Sequence, residues 1–450
     1  MFKQKLSMLV ITGLALFAMY FGAGNLIFPV MLGAEAGPHL PTAMAGMFIT
    51  AIIIPILALI SLATTEKGVS GVTERIGKIP GLALTVFIFL VTGVLYAIPR
   101  VAAVSFEMAA KPVIAMVSPA AAESALTIPL YMLVFFGLVI ALTLRPGKLT
   151  RIIGIWLTPT LLTMLIILIV GVLVTQPAST APAVGDYAQA PFETGLLQGY
   201  FTMDANGSLL FGALILEVLR RHGYTGRKEL MTGVTLAGIV AGVALAGIYI
   251  GLSLVGHHTL LTGETNGAQI LADASVAIFG SFGQVFFGLI VVLACLTTVT
   301  GLLSASVTYF SELFPQVSYP NIMGAHLLIS YLLANVSLAM ILKLVLPVNL
   351  LLYPIMIVLF VVSLLDVAVP LNFRWAYKLS VLFTGALSLL HASNMFGSET
   401  VATWYANTYG AYVPLGDGKF AWLLPALLGL AIGWVIDAVQ AKRPAASIGA

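Results

Sequence analysis

Charge is what this 450-residue chain has least of. Only 8% of its residues are charged and 60% are hydrophobic, whereas soluble domains carry roughly 25% charged residues. That balance excludes a soluble globular domain and identifies a polytopic membrane protein, with lipid as a surrounding partner. Cysteine is nearly absent as well. Cys295 is the single one and lies in an apolar run, so no disulfide framework can form, and the residue reads as packing. The six histidines are scattered, and the pair His257-His258 has neither a cysteine nor a second histidine pair beside it. No metal cluster, nucleotide-binding glycine motif, nucleic-acid patch or GxSxG nucleophile is found. Cofactor chemistry, nucleic-acid binding and an intramembrane enzyme are therefore not expected.

What the chain does have is long apolar runs. Windows of about 20 residues fall at 6–33, 41–63, 81–108, 127–144, 152–174, 196–219, 230–254, 282–310, 322–342, 347–366, 374–392 and 420–438, which predicts twelve spans. The first is too long for the apolar core of a signal peptide. With the N-terminus inside, sixteen basic residues lie on the inward side, among them Lys3, Lys5, Arg75, Arg145, Lys148, Arg220, Arg221, Arg227, Lys228, Lys442 and Arg443. Three lie outside: Lys111, Lys343 and Lys419. This asymmetry predicts cytoplasmic termini. The longest connections, 175–195, 255–281 and 393–419, are outward.

Within the first span the stretch FGAGNLIFP, residues 21–29, resists a continuous helix. Gly22 and Gly24 each cost about 1 kcal/mol relative to alanine, and Pro29 lacks an N–H and crowds the preceding turn. Irregular backbone at membrane depth is tolerated only where it lines a cavity or is buried in protein. A second break is expected in the sixth span at YFTMDANGSLLFG, 200–212, which carries Asp204, Asn206, Gly207 and Ser208. Shifted by 183 positions, Gly24-Asn25-Leu26-Ile27-Phe28 lies over Gly207-Ser208-Leu209-Leu210-Phe211. Two interrupted spans in corresponding places of oppositely oriented halves point to an inverted-repeat transporter with a midplane site. Freed N–H groups suit a carboxylate and freed carbonyls suit a cation or ammonium; an amino acid with an apolar side chain uses both.

The motifs FGAGNLIFP at 21–29, YAIPRVAAVSFE at 96–107, RPGKL at 145–149, GYFTMD at 199–204, CLTTVTGL at 295–302 and VPLGDGKFAWLLP at 413–425 resemble those of the bacterial branched-chain amino acid:cation symporters, the LIVCS group of the amino acid–polyamine–cation superfamily. The resemblance covers nearly the whole chain. It implies an all-α, LeuT-like five-plus-five inverted repeat with two further helices: 1–174 and 196–366 as the repeats, 175–195 as an extracellular loop, and 367–450 as the appended pair. It also implies uptake of leucine, isoleucine and valine across the bacterial inner membrane, driven by sodium or less often by protons. A sodium site between the first and eighth spans would use the carbonyls of Ala18, Phe21 and Ala294 and the hydroxyls of Thr297 and Thr298. The bland alternative for the threonines is a bond back to the preceding turn. Tyr20, Ala23, Gly24, Asn25, Phe201, Thr202 and Asp204 would line the substrate site, with Asn206 as a further candidate from the second break. One departure is that four residues separate Asn25 from Pro29 rather than the five of the amine transporters, which leaves the register after Asn25 open.

Ionisable groups inside a membrane default to functional readings. Four roles are open to Asp204: contact with the substrate ammonium, cation ligation, proton carriage, or pairing with Arg100. Arg100 and Glu107 are seven residues apart, on one face of a regular helix. They form an outer gate if Arg100 pairs with Asp204 or Glu107, or they sit in the outer interface if the third span ends near Pro99. The competing activity is a proton-coupled permease of the same fold. A channel would need a continuous polar lining, and only local polar breaks are present.

Overall fold

The structure, a computed structural model, describes residues 2–143, 151–259, 266–336, 338–369, 371–394, 403–412 and 420–441. The motif RPGKL at 145–149, residues 413–419 of the last motif, Lys442 and Arg443 lie outside the described residues, as does much of the 393–419 connection. Every regular element described is helical. In lipid only helices and closed barrels satisfy their own backbone groups, and chains this rich in uninterrupted apolar runs take the helical solution.

A helix lies over each of the twelve expected windows. Among the described residues, seven helices are long and apolar enough to cross a membrane, or nine if each of two bent pairs counts as one span. The other three windows carry the helices Thr127–Thr143, Tyr319–Ala334 and Trp375–Asn394. Two boundaries differ from expectation. The ninth span ends at Ala334, where Asn335 caps the helix and its Nδ2 donates to the Tyr331 carbonyl, and the tenth begins at Leu338 and runs through Pro347 and Pro354 to Ala368. The connection expected at 255–281 contains a helix, Gly267–Phe279, started by Asn266, whose Oδ1 accepts from the Gln269 N–H at 3.0 Å.

The chain divides into two compact units, each drawing on both expected repeats: residues 1–56 with 89–338, and residues 57–88 with 339–450. In the first unit both halves of the first span lie along the seventh, Arg227–His257. The approach is close enough that a Cβ on Gly33 would fall 1.8 Å from the Ser253 carbonyl, and one on Gly256 1.9 Å from that of Val30. Small residues permit such backbone contact between membrane helices. The eighth span, Phe282–Leu313, is the most enclosed of the long helices, with Cys295 fully buried in it.

The second unit is organised by two carboxylates. Asp437 accepts from the backbone N–H groups of Arg374, Trp375 and Ala376 at 2.8–3.0 Å and so caps the helix Trp375–Asn394. Asp366 pairs with Arg75 at 3.3 Å and accepts from the Phe373 N–H at 2.7 Å. Burial of the Asp366 side chain to 9% exposure and these two partners make it a structural tie. Gly429 and Gly433, four residues apart on the last span, let that helix pack against the backbone of Leu379 and Ala376.

Candidate functional site

The first span is helical from Phe2 to Tyr20 and again from Ala23 to Glu35, bent by 74° between the halves. Gly22 is extended at the turn (φ −99°, ψ −170°), and its N–H is bonded to the Tyr20 carbonyl at 2.8 Å and to Asn25 Oδ1 at 3.2 Å. Pro29, expected to belong to the break, lies inside the second helical half, where its missing N–H costs the Asn25 carbonyl a partner without ending the helix.

The sixth span is helical over Pro191–Phe201 and Asp204–Arg221 and bends by 42°. Its turn falls at Thr202 and Met203, ahead of the polar residues. Met203 is left-handed (φ 64°, ψ 17°), a conformation disfavoured for a residue with a Cβ. The inverted match is visible in side-chain packing. A Cβ on Gly24 would lie 3.2 Å from the Phe28 ring and one on Gly207 2.9 Å from the Phe211 ring, the same glycine-under-phenylalanine contact four residues apart in both halves.

A cavity opens where the two breaks meet. Its lining includes Tyr20, Ala23, Gly24, Asn25, Thr202 and Asp204 from the expected set, with Met19, Ala97, Val101, Phe211 and Leu302 as apolar wall. Asp204 is buried at 4% exposure in the first turn of its half-helix, where N–H groups and dipole favour an anion. Asn25 Nδ2 donates to Asp204 Oδ2 at 2.8 Å and to Tyr249 Oη at 2.5 Å, and the Tyr249 hydroxyl donates to the same carboxylate oxygen at 3.2 Å. The Tyr20 and Ser208 hydroxyls share a hydrogen bond of 2.7 Å, which ties the two broken spans directly.

Phe201 and Asn206, expected as substrate contacts, are not part of the lining. Phe201 precedes the turn and packs on Phe28 with ring centroids 6.0 Å apart. Asp204, Gly207 and Phe211 share the cavity-facing side of their helix, and Asn206, two residues beyond Asp204, is rotated about 200° from it.

Three of the five candidate sodium ligands, Ala18, Ala294 and Thr297, are in direct contact. Thr297 Oγ1 lies 2.7 Å from the Ala18 carbonyl, 2.9 Å from that of Ala294 and 3.1 Å from that of Leu293. A hydroxyl has one proton to share among these three acceptors. Thr298 Oγ1 is buried with no hydrogen-bond partner among the described residues, and a Cβ on Gly22, next to Phe21, would lie 3.2 Å from it. Buried polar atoms without partners are rare and costly. Three hard oxygens in contact, with an orphaned hydroxyl on the next residue of the same helix, fit a small cation.

The expected gate pair is not formed. Glu107 has a side chain 42% exposed and pairs with Lys111 at 3.8 Å, whereas Arg100 lines the cavity. Arg100 Nη1 donates to Tyr96 Oη at 2.5 Å and to Met203 Sδ at 3.1 Å, and the guanidinium sits 5.1 Å from the centroid of the Tyr96 ring. The third span does not end near Pro99: Pro99 is the third residue of a new helical segment, Ala97–Ser105, after a turn at Tyr96. A wide π-type turn then follows at Phe106–Ala110. Glu107, the second residue of that turn, is exposed and paired with Lys111 while Arg100 faces the cavity, so the seven-residue spacing does not pair them.

Tyr249 escaped the sequence reading, as did Ala97, Val101 and Leu302. A single tyrosine in the otherwise apolar run of the seventh span was the available signal for Tyr249. For the aliphatic wall residues there was none, because cavity-facing and lipid-facing aliphatics read alike.

Two solved structures share this architecture. A nucleobase-cation-symport-1 family transporter in a closed conformation with bromovinylhydantoin bound matches over 96% of this chain and 93% of its own, with TM-score 0.57 and 14% identity. MhsT in complex with L-phenylalanine matches over 95% and 98%, with TM-score 0.54 and 17% identity. The fold is that of the LeuT-like transporters, with the first and sixth spans broken. Among sequence relatives, the branched-chain amino acid permease BrnQ of Bacillus subtilis is 35% identical over 98% of this chain and 99% of its own. The branched-chain amino acid transport system 2 carrier protein of Pseudomonas aeruginosa is 34% identical over 96% and 97%, and BrnQ of Escherichia coli K12 is 32% identical over 98% of each. The family model described as branched-chain amino acid transport protein matches residues 5–440, and with these relatives it establishes that the chain belongs to the branched-chain amino acid transport protein family.

Proposed function

We propose that the protein is a secondary active transporter that imports leucine, isoleucine and valine by sodium symport, through alternating access at the cavity between the two breaks. The observation that carries this reading is the lining itself: an acid, a base and the residues of two helix breaks, together with the apolar Met19, Ala97, Val101, Phe211 and Leu302. A zwitterion with an aliphatic side chain matches that distribution. The names of the permease relatives support the same substrate class.

Sodium coupling is supported by the oxygens of Ala18, Ala294, Thr297 and Thr298, with the Phe21 carbonyl completing the set. With sodium present, the Thr297 proton turns away from Ala18 and the orphaned Thr298 oxygen gains a partner. One sodium crossing at 100 mV supplies about 2.3 kcal/mol, enough for nearly fiftyfold accumulation of a neutral substrate at one-to-one coupling. The distribution of basic residues supports cytoplasmic termini, and the bacterial permease relatives support a place in the bacterial inner membrane. Proton coupling through Asp204 is the second reading, supported by a buried carboxylate held by Asn25 and Tyr249 with no ion pair among the described residues.

The test is uptake of radiolabelled leucine into proteoliposomes under an inward sodium gradient, repeated with choline replacing sodium at fixed pH. Uptake is expected to be lost with choline. Uptake that persists and follows a proton gradient would transfer the coupling role to Asp204, and no uptake under either gradient would withdraw the substrate assignment.

A further inference from the structure

Arg100 was expected to close a gate by pairing with a protein carboxylate. Among the described residues it makes no ion pair, and its side chain is half-buried in the cavity wall. Its position is held from one side only. Nη1 is engaged by Tyr96 and Met203, and the ring of Tyr96 supports the guanidinium. The other terminal nitrogen, Nη2, faces the first turn of the half-helix Ala23–Glu35, where a Cβ on Gly24 would lie 3.7 Å away. That turn presents N–H groups with no partner inside the helix. A planar fork of donors therefore converges with a helix N-terminus on one small volume, and both favour an anion.

The cavity lining carries two formal charges, Arg100 and Asp204, and an amino acid zwitterion carries the complementary two. Asp204 already has hydrogen bonds from Asn25 and Tyr249, and an ammonium is the one further donor that also neutralises it. The remaining charge needs a carboxylate. We propose that Arg100 is a substrate-binding residue that holds the α-carboxylate, together with the amide at Gly24, and that Tyr96 and Met203 position its guanidinium for that contact. This inference rests on the reading of the cavity as an amino acid site.

The experiment compares leucine with leucinol, which keeps the ammonium and side chain and lacks the carboxylate. Both are measured on the full-length protein in proteoliposomes, leucine by uptake and leucinol by inhibition of that uptake. In the unmutated protein leucinol is expected to bind about tenfold or more weakly than leucine, and Arg100→Gln is expected to raise the half-saturating leucine concentration by a similar factor. The same variant should change the leucinol inhibition constant by less than about twofold, because the lost group never touched it. Equal loss for both compounds would mean a structural role and would overturn the proposal, as would an unchanged leucine half-saturation with a reduced maximal rate. If Arg100→Gln is not recovered folded, the comparison on the unmutated protein still decides: leucinol binding as tightly as leucine overturns the inference. Failure of the unmutated protein to take up any branched-chain amino acid would instead remove the underlying reading, an outcome separate from normal transport with indifferent leucinol.

Discussion

The first span turns by 74° at Phe21 and Gly22, the sixth by 42° at Thr202 and Met203, and the two turns rest on different backbone chemistry. The first uses glycine in an extended conformation that any residue can adopt, so what a side chain there would meet is a matter of space: a Cβ would crowd the hydroxyl of Thr298 at 3.2 Å. The second forces a methionine into the left-handed region, where a Cβ is unfavourable by about 1–2 kcal/mol. One turn is shaped around a neighbouring oxygen, and the other is imposed on the chain by its surroundings. Strain of this kind persists only where packing over-determines the backbone; here the Met203 sulfur is held against Arg100. The two breaks also divide the chemistry, since the first presents amides and the Ala18 carbonyl and the second presents the carboxylate of Asp204.

The largest effect is expected at that carboxylate. Asp204→Asn removes the charge that the proposed site offers to an ammonium and sets an amide against donors from Asn25 and Tyr249. Leucine uptake should fall about a hundredfold or more, while the amount of protein recovered from the membrane tests whether the loss is one of folding. Retained uptake would assign the second break a purely structural role. A smaller and more specific effect is expected at the first break. Gly22→Ala is allowed by φ and ψ but crowds Thr298 Oγ1, so the sodium concentration giving half-maximal uptake should rise about tenfold, as it should in Thr298→Val, which deletes that oxygen. Unchanged sodium dependence in both variants would separate Thr298 from the coupling ion. The smallest effect isolates the backbone. Met203→Ala and Met203→Gly remove the same side-chain contacts and differ only in the Cβ, so the glycine variant should be the more stable by about 1 kcal/mol in thermal unfolding of the purified protein. Equal midpoints would mean that the left-handed turn carries no strain.

Much of this arrangement was legible in the residues. The apolar windows placed a helix over every expected span because membrane helices must be long and continuous in their apolar character. The breaks could be found because glycine and polar residues at membrane depth are conspicuous against that background. The register of the internal match, Gly24 to Phe28 over Gly207 to Phe211, corresponds to a repeated packing contact. Legibility failed where a shared helix face was read as a contact. Arg100 and Glu107 lie seven residues apart on one run of helix, but sharing a face does not bring side chains two turns apart into contact, and Glu107 pairs instead with Lys111 four residues on. The connection around Gly267–Phe279 was read as loop because its helix is too short to span.

Composition and periodicity alone determined that the chain crosses the membrane many times as helices, and that two of those helices are interrupted, because lipid offers a backbone no other partner. Which side chains meet at the interruptions was decided only in three dimensions. Tyr249 reaches Asp204 from 45 residues away and Thr297 reaches Ala18 from 279. Arg100 faces the cavity because a turn at Tyr96 aims it there. Contacts between distant segments depend on helix phase and crossing geometry, which the identities of the residues do not by themselves specify.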